Sequence, residues 1–388
     1  MSKPKLLIVA NVPSMLREFL LPFADHFSAK GWRVDALVSD AASCEECKAH
    51  FGAVYDVEWS RNPLEPKNFT KAPKTIRELV QRERYDLVHV HSPVAAFVTR
   101  FALRNMEKRP KVIYTAHGFH FHKGGHPVKN RIFLGLEKMA APWTDYLVVM
   151  NREDERAAKT HKLIAPERLM YMPGIGVDTE KYSPKGVSEE AVTELRKELK
   201  LSPDEKLILM IAEFNPGKRH RDALQAFKKL ERTDVVMAFA GLGPLEEEIE
   251  ALAKELGLED RTRFLGYRRD IPVLLLASHA LLLPSEREGL PRSIMEAFCL
   301  GTPVISTNIR GVEDLLADDA GIMTGVGDVD GIADAMKYML EHPDEAKQMG
   351  LNGQERMKDF DLNEVKRLHE ELYQDALGEV KEPDVALV

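Results

Sequence analysis

Short runs of apolar, β-branched residues alternate with longer amphipathic stretches along nearly the whole chain. The first run is KLLIVA (5–10), a helical spacing of apolar positions begins at Leu16, and the next run is WRVDALV (32–38). This alternation predicts strands and helices that follow one another as β/α units. Repeated units of this kind form one parallel sheet with helices on both faces. The further strands predicted for this sheet are AVYDVEW (53), DLVHVH (86), KVIYTAH (111), DYLVVM (145) and RLMYMPG (168).

The alternation is interrupted near the middle of the chain and then starts again. The interruption is PGIGVDTEKYSPKGVSEE (173–190), which is rich in glycine, proline and charge and is typical of a linker. After about residue 328 the pattern is helical throughout. A chain of 388 residues therefore predicts two doubly wound α/β domains. The strands predicted for the second sheet are KLILMIA (206), VVMAFAG (235), RFLG (263), ALLLPS (280), PVIST (303) and GIMT (321).

The composition is that of a globular protein, with 44% apolar and 30% charged residues. It excludes collagen-like and wholly disordered chains. No stretch of about 18 apolar residues is present, and the start MSKPKLLIVANVPS lacks the apolar region of a signal peptide. We therefore expect the protein in the cytoplasm, or peripherally on the inner face of the cytoplasmic membrane.

Charge is distributed unevenly between the two halves of the chain. Residues 1–180 carry six more basic than acidic residues, whereas the remainder carries fourteen more acidic than basic residues, which gives a net charge of −8. A basic half suits phosphates or an anionic membrane surface, although an unevenly charged solvated surface accounts for the same numbers. The acidic half disfavours nucleic acid as a partner.

The three cysteines are too few for a disulfide framework. Cys44 and Cys47 form a CxxC pair followed by His50, and in a reducing compartment we expect this pair to be a motif by spacing alone. We also expect no zinc here, because a structural zinc site needs four ligands and this segment supplies at most three.

The stretch SEREGLPRSIMEAFCLGTPVI (285–305) places acidic residues around the start of a predicted helix. Glu288 lies in the preceding loop, and a proline is predicted to open the first turn. The N–H groups from Arg292 and Ser293 onward, with the positive end of the helix dipole, suit a phosphate or a sugar hydroxyl. Glu296, one turn further, could accept hydrogen bonds from the vicinal hydroxyls of a ribose. Acidic residues near helix starts also occur simply as dipole partners, and this alternative stays open.

Glu288 and Glu296, with Gly-Leu-Pro after the first, resemble the E-x7-E signature of the retaining glycosyltransferases of family 4, which have the GT-B fold. Two segments of the N-terminal half, YDLVHVHSP (85–93) and YTAHGFHF (114–121), are similar to the branch that builds bacterial exopolysaccharide and capsule repeats. The match covers nearly the whole chain. Further segments that resemble the family in the same order are PGIGVDTEKYSP (173–184), AGLGPLEEEI (240–249) and GYRRDIPVLLLASHALLLPS (266–285).

The resemblance implies two Rossmann-like, doubly wound parallel-sheet domains that face one another across a cleft. Residues 1–178 would form the acceptor-side domain, and residues 179–360 the domain that binds the nucleotide sugar. Residues 361–388 would form a C-terminal helix that could cross back to the first domain. The nucleotide sugar is a substrate in this family, so we expect no cofactor.

The resemblance also implies which residues bind the donor. Glu288 would lie beside the donor sugar and Glu296 would bind the ribose. The family usually has an arginine five residues before a lysine, and both neutralise the diphosphate. This chain keeps Lys218 but has Glu213 at the arginine position, so Arg219 or Arg221 could supply the missing charge. The predicted donor-binding residues are Lys218, Arg219, Glu288, Gly289, Leu290, Arg292, Ser293 and Glu296.

On the acceptor side, His117 follows the strand KVIYTA, where the family places a histidine or aspartate near the reacting sugar. His117 and Glu288 are therefore the predicted catalytic residues. Ser14, at the entrance to the first helix, and the histidines His91 and His120 are predicted to lie on the acceptor side. So many imidazoles also suggest a metal site, but we expect none, because members of this family need no bound metal.

A basic, aromatic-rich stretch runs from Phe119 to Trp143 and includes Lys123, Lys129, Arg131 and Lys138. It could lie on a membrane and bring a lipid-linked saccharide to the acceptor side. An amphipathic surface helix after a glycine turn is an equally good interpretation.

The sequence thus predicts a retaining glycosyltransferase that moves a sugar, with UDP-sugars favoured as donors, to a lipid-linked glycan in exopolysaccharide or capsule synthesis. Two alternatives remain. One is a nucleotide-sugar epimerase or a sugar phosphorylase of the same fold. The other is a non-catalytic GT-B scaffold in a polysaccharide assembly complex, which the loss of the usual arginine at Glu213 favours.

Overall fold

A computed structural model describes residues 3–60, 65–122 and 124–378. The chain divides into two compact units. Unit 1 comprises the described residues of 1–175 together with 363–378, and unit 2 comprises residues 176–362. Lys123 of the basic stretch and residues 379–388 of the C-terminal segment lie outside the described residues.

Unit 1 contains a seven-stranded sheet in the order β3-β2-β1-β4-β5-β6-β7, and all its paired strands run parallel. The strand order reverses at β1, because β2 and β3 lie on one side of it and β4 to β7 lie on the other. The strands are β1 (Lys5–Val9), β2 (Arg33–Val38), β3 (Val54–Asp56), β4 (Leu87–His91), β5 (Lys111–Ala116), β6 (Tyr146–Val149) and β7 (Leu169–Tyr171).

Unit 2 contains a six-stranded parallel sheet in the order β10-β9-β8-β11-β12-β13. Every predicted strand of both sheets is present among the described residues, and the predicted α/β class with two Rossmann-like sheets is confirmed. The strands are β8 (Lys206–Ile211), β9 (Val235–Ala240), β10 (Thr262–Phe264), β11 (Ala280–Leu283), β12 (Val304–Thr307) and β13 (Gly321–Thr324).

Helices connect the strands of each sheet. A π-helical turn at Leu16–Leu20 joins the first two of them. The helices of the first 175 residues are α1 (Pro13–Met15), α2 (Leu21–Ala29), α3 (Cys47–His50), α4 (Lys71–Glu83), α5 (Pro93–Leu103), α6 (Pro127–Ala140) and α7 (Arg152–Thr160). The later helices are α8 (Glu189–Glu198), α9 (His220–Lys229), α10 (Glu246–Glu255), α11 (Ile271–Ala277), α12 (Arg292–Cys299), α13 (Val312–Leu315), α14 (Val329–Glu341), α15 (Pro343–Arg356) and α16 (Leu362–Leu377).

The central strands are buried along their whole length, which explains why they appear in the sequence as continuous apolar runs. Leu6 to Val9 of β1 and Leu207 to Met210 of β8 are at most 1% exposed. A parallel sheet covered on both faces requires apolar side chains at successive positions. The polar side chains that do occur near the ends of such strands therefore stand out as candidates for function.

Two helices begin later than the sequence suggests. The helix α12 begins at Arg292, and Pro291 precedes it in an extended conformation instead of occupying its first turn. The helix α10 begins at Glu246, although the earlier Pro244 is the kind of residue that opens a first helical turn. A Cβ atom at Gly243 would lie 2.5 Å from the carbonyl oxygen of Phe214, so the chain turns tightly against another backbone before this helix can start.

The expectation for the cysteine pair is wrong. Cys44 and Cys47 form a disulfide, with their Cα atoms 5.3 Å apart, and both side chains are fully buried. This Cα separation falls within the range that a disulfide spans without moving the backbone. The turn before α3 brings the two residues together, an effect that reasoning from the compartment alone overlooked. The imidazole of His50 instead lies 2.8 Å from a carboxylate oxygen of Asp25.

Candidate functional site

The loop between β11 and α12 carries the first predicted carboxylate of unit 2. Lys218 Nζ donates a hydrogen bond to Glu288 Oε1 at 2.6 Å. The backbone N–H of Glu286 donates to the carbonyl oxygen of Gly217 at 2.9 Å. The loop that carries Glu288 and the segment that carries Lys218 are therefore also joined through their backbones. The side chains of Lys218 and Glu288 are 25% and 11% exposed, which leaves the pair partly open to solvent. Two residues predicted independently as donor-binding therefore lie in direct contact.

The second carboxylate of the signature is more deeply placed. Glu296 in α12 is 6% exposed, and its Oε1 accepts a hydrogen bond from Arg292 Nε at 2.8 Å. Burial raises the pKa of this carboxyl group, while Arg292 and the hydroxyl of Tyr182 oppose the rise. A carboxylate has about four lone-pair positions, so these two donors leave acceptor capacity for a ligand hydroxyl. Tyr182 was not predicted, because it lies in the linker more than 100 residues before Glu296.

Arg310 is a further residue of this site that the sequence reasoning missed. It follows β12, is 6% exposed, and its Nε donates to the backbone carbonyl oxygen of Glu288 at 3.3 Å. Gly311 has a φ of 76°, and a Cβ atom there would lie 1.9 Å from the carbonyl oxygen of Gly289. Only glycine allows this approach of the two loops. The local signal was an Arg-Gly pair at the end of a buried strand.

The candidates for the missing positive charge differ in their surroundings. Arg219 lies 2.5 Å from Asp222 and 3.8 Å from Glu286, close to the loop of Glu288. Arg221 forms its ion pair with Glu248 of α10, and both side chains are about half exposed. Glu213 accepts a hydrogen bond from the side-chain amide of Asn215 at 2.9 Å. Of the two arginines, Arg219 is the one whose charge lies near the predicted donor-binding loop.

The remaining predicted donor-binding residues lie along the same short segment. Gly289 and Leu290 are partly buried in the loop before α12, and Leu290 packs against the apolar core of unit 2. Ser293 is partly buried in the first turn of α12. The positive end of this helix therefore begins within four residues of Glu288, an arrangement that suits an anion.

In unit 1, two of the predicted histidines are hydrogen-bonded to each other. His91 ends β4, and His117 follows the neighbouring strand β5. Because adjacent parallel strands end at the same edge, the two rings meet, with His91 Nδ1 2.9 Å from His117 Nε2. Burial lowers the pKa of His117 to about 4 and that of His91 well below its usual value, with neighbouring histidines adding to both shifts. Both imidazoles are therefore neutral near pH 7.

His89 lies beside this pair but has its own partners. Its Nδ1 is 2.6 Å from the hydroxyl of Tyr373, and its Nε2 is 2.7 Å from the hydroxyl of Thr115. Tyr373 and His369 come from α16, and the ring of His369 packs 4.6 Å from that of Phe23. The helix α16 therefore completes the environment of the strand-end histidines, which no local pattern in the sequence indicates.

The other two acceptor-side candidates are placed elsewhere in unit 1. Ser14 is exposed in the short helix α1. His120 packs edge-on against Phe133 of α6, with ring centroids 4.9 Å apart, in an apolar pocket that Phe97 also lines. The structure thus brings His91 and His117 together, while His120 lies in a different environment from that pair.

The basic stretch forms the predicted amphipathic helix α6. Its outer residues Val128, Ile132 and Met139 are between 47% and 61% exposed, and Lys129, Arg131 and Lys138 are exposed among them. None of the described helices is both long enough and apolar enough to cross a bilayer.

A metal site would need at least three ligating side chains grouped together. Within the described ranges, no three His, Cys, Asp or Glu side chains are grouped so that they could hold a metal ion. In the histidine cluster, ring nitrogens of His89, His91 and His117 are engaged by Tyr373, Thr115 and one another. The candidate residues of unit 1 therefore offer hydrogen bonds through neutral groups, and those of unit 2 offer contacts through charged groups.

Two family profiles match the chain. Residues 19–181 match "Glycosyltransferase Family 4", and residues 191–356 match "Glycosyl transferases group 1". The chain is 30% identical to EpsD of Bacillus subtilis (strain 168), which carries a provisional glycosyltransferase name, over 90% of this chain and 91% of EpsD. It is 29% identical to the UDP-Gal:alpha-D-GlcNAc-diphosphoundecaprenol alpha-1,3-galactosyltransferase of Escherichia coli over 68% of each chain.

Solved structures share the fold. The Anabaena protein Alr3699/HepE, in complex with UDP and glucose, superposes with a TM-score of 0.80 over 96% of this chain and all of its own, at 19% identity. A glycosyltransferase from Rickettsia africae ESF-5 gives the same TM-score over 98% of this chain and all of its own, at 18% identity. At these identities the likeness shows the fold alone, which is the predicted GT-B arrangement of two Rossmann-like sheets.

Proposed function

The chain belongs to the glycosyltransferases of group 1 and family 4, and from this premise we propose that it transfers a sugar from a UDP-sugar to a lipid-linked glycan with retention at the anomeric carbon. The observation that carries the proposal is the contact of Lys218 with Glu288, since it joins a cation suited to a diphosphate with the carboxylate predicted to contact the sugar. The product context is exopolysaccharide or capsule synthesis, in line with the resemblance of residues 85–93 and 114–121 to that branch.

Unit 2 holds the donor in this proposal. The departing diphosphate gains negative charge as the bond to the sugar breaks, and preorganised donors stabilise that charge. Lys218, Arg219 and the first turn of α12 can supply them, and Arg310 adds a buried cation beside Glu288. UDP is supported by the E. coli relative, which is named for a UDP-Gal donor. The nucleotide sugar is a substrate, and the scheme involves neither a cofactor nor a metal ion.

Without a covalent intermediate, retention requires the acceptor hydroxyl to attack the face from which the diphosphate leaves. Glu288 is engaged with Lys218 and His117 is neutral, so both are suited to orienting hydroxyl groups by hydrogen bonds. Neither forms a covalent bond to the sugar: the acceptor oxygen bonds to the anomeric carbon as the bond from that carbon to the diphosphate breaks, and the acceptor proton passes to the departing diphosphate. His117 then orients the sugar and the acceptor hydroxyl, while His91, Ser14 and His120 belong to the acceptor side.

The acceptor is proposed to be lipid-linked and met at the inner face of the cytoplasmic membrane. The E. coli relative is named for an acceptor that carries diphosphoundecaprenol. The outer face of α6 combines exposed Val128, Ile132 and Met139 with basic side chains, a combination that binds the interface of an anionic membrane.

The decisive experiment replaces Glu288 with alanine in the full chain. We expect transfer from a UDP-sugar panel to synthetic lipid-linked acceptors to fall below detection, while Tm and the circular dichroism spectrum stay close to wild type. Glu313→Ala removes an exposed carboxylate of the same unit and serves as the control. Turnover near wild type in Glu288→Ala would remove the assignment. The anomeric configuration of the product, read by NMR, tests retention separately.

The scaffold alternative draws support from Glu213, which stands where the family usually has a diphosphate-binding arginine. A scaffold would neither transfer nor hydrolyse any donor of the panel, and UDP would not raise its Tm. Conversion of the donor without an acceptor would indicate an epimerase, and a requirement for free phosphate would indicate a phosphorylase.

A further inference from the structure

The buried histidine cluster of unit 1 contains one pair whose geometry goes beyond the role assigned to His117. His91 and His117 come from neighbouring strands and meet through His91 Nδ1 and His117 Nε2 at 2.9 Å. His91 is 3% exposed, so water does not readily replace this contact. The pair is therefore a fixed part of the fold at the end of the sheet.

Only one proton can lie between these two nitrogens. A neutral imidazole carries a hydrogen on one nitrogen and a lone pair on the other. The nitrogen of His117 that faces His91 must therefore be the donor when His91 accepts and the acceptor when His91 donates. The state of His117 Nδ1 is then the opposite of the state of its Nε2. What His117 Nδ1 offers to a hydroxyl group is therefore coupled to the tautomer of His91.

The neighbouring histidine does not share this function. His89 uses its two ring nitrogens on Tyr373 and Thr115, and it contacts His91 through ring packing with centroids 4.3 Å apart. The bond between His91 and His117 is thus separable by mutation from the bonds of His89. His91, which is hydrogen-bonded to His117, and His89, which is not, can therefore be compared as a matched pair.

We propose that His91 is a positioning residue, which fixes the ring orientation and the tautomer of His117 so that His117 presents one defined hydrogen-bonding group during sugar transfer. The inference rests on the proposed function for the role of His117 in transfer. The tautomer of His117 itself does not depend on the proposed function, because it is a property of the folded chain.

The direct test is a long-range ¹H–¹⁵N NMR spectrum of the full chain labelled with ¹⁵N-histidine, with His117 assigned through His117→Gln. We expect a single tautomer for His117 in the wild type and in His91→Asn, whose amide can keep one hydrogen bond to His117 Nε2 in place of Nδ1. In His91→Phe we expect the His117 nitrogens to shift toward values that average both tautomers. A mixed tautomer in the wild type would overturn the proposal even if no variant folded. An unchanged His117 in His91→Phe would also overturn it.

Kinetics supply the second test. We expect kcat to fall at least about tenfold in His91→Phe, with the donor KM unchanged, because a misplaced reacting group lowers turnover more than binding. His91→Asn should recover most of that loss. Tyr373→Phe, which removes a partner of His89, should lower Tm and leave kcat near wild type. Equal losses of kcat in His91→Phe and Tyr373→Phe would indicate a merely structural role and overturn the proposal.

The two hypotheses fail in different ways. If His117→Ala keeps full turnover, the proposed role of His117 is wrong, and the proposed role of His91 in transfer is overturned with it, whatever the tautomer. If His117→Ala loses turnover while His91→Phe keeps it, the proposed function stands and the inference about His91 is overturned.

Discussion

The two units place different kinds of polar group near the ends of their strands. In unit 1 these groups are imidazoles, buried at His89 and His91 and partly buried at His117, whose pKa values lie far below normal, so they stay uncharged. In unit 2 they are ions in contact, Lys218 with Glu288 and Arg292 with Glu296. The same doubly wound architecture therefore supports a neutral hydrogen-bonding edge in one unit and a charged edge in the other.

The difference matches the ligands proposed for each unit. A diphosphate gains charge as it leaves and is stabilised by fixed cations, which unit 2 supplies. A hydroxyl acceptor is neutral and is oriented by groups that donate or accept without a net charge, which unit 1 supplies. A buried charge without a partner is costly, so unit 1 holds its histidines neutral where no carboxylate contacts them in the described hydrogen bonds.

The largest effect is expected from removing the cation of unit 2. Lys218→Met should lower transfer by about 10²- to 10³-fold, because it removes a preorganised charge from the leaving diphosphate. Steady-state kinetics with a UDP-sugar would measure the loss. Arg221→Met removes an exposed arginine from the same unit, paired with Glu248, and should behave as wild type. Equal activity in the two variants would show that the charge of Lys218 is not used.

The next effect is a loss of stability in unit 1 on mild acidification. The pKa of His117 and that of His369 are lowered by burial to about 4, and those of His89 and His91 lie well below normal. The unfolded chain binds protons at these imidazoles near pH 6.5, so unfolding takes up protons below that pH and the free energy of unfolding falls as the pH decreases. One such histidine lowers the free energy of unfolding by on the order of 2 kcal/mol at pH 5, relative to neutral pH.

Hydrogen exchange read by mass spectrometry can assign this loss to a unit. Protection in peptides from β4 and β5 should fall more between pH 7 and pH 5 than protection in peptides from β8 and β9, once the intrinsic exchange rates are corrected. Unit 2 has fewer such groups among its described residues, namely His220 and His279, each with a pKa lowered by burial to about 4. An equal fall in both units would contradict the comparison.

A smaller effect is expected at Arg310. Arg310→Gln should raise the donor KM by about tenfold, since a charge-assisted hydrogen bond contributes about 1.5 to 3 kcal/mol and glutamine retains part of it. Arg310→Lys keeps the charge but not the donor geometry at the Glu288 carbonyl. Its donor KM should therefore lie between those of the wild type and Arg310→Gln. If both variants keep the wild-type KM, Arg310 only supports the loop, and a lower Tm would be the sole consequence.

The smallest effect is expected from restoring the residue that the family usually has. Glu213→Arg should lower the donor KM a few-fold, because it replaces an anion with a cation close to the proposed diphosphate position. Glu213→Gln removes the carboxylate without adding charge and should give about half of that gain in free energy. Isothermal titration with UDP would measure the change in nucleotide affinity in both variants. An unchanged or weaker affinity in Glu213→Arg would contradict the assignment of this position to the diphosphate.

The positions of the strands along the chain and the spacing of the two carboxylates could be read from the sequence, because both depend on local pattern. Buried parallel strands require continuous apolar runs, and the spacing of Glu288 and Glu296 lies within one loop and helix. The contacts of Arg310 and Tyr373 could not be anticipated, because residues far apart in the chain make them only after folding. The disulfide was missed for a different reason, since the compartment argument ignored the turn that brings Cys44 close to Cys47.

The contact between Lys218 and Glu288 also bears on what the site rejects. Each charge of this pair already has the other as its partner, so inorganic phosphate bound to the lysine would leave a partly buried carboxylate unmatched. A free monosaccharide that takes the carboxylate leaves the lysine in the same position. If the pair contacts the donor as proposed, a sugar joined to a diphosphate meets both partners at once, which would favour the conjugate over either inorganic phosphate or a free monosaccharide.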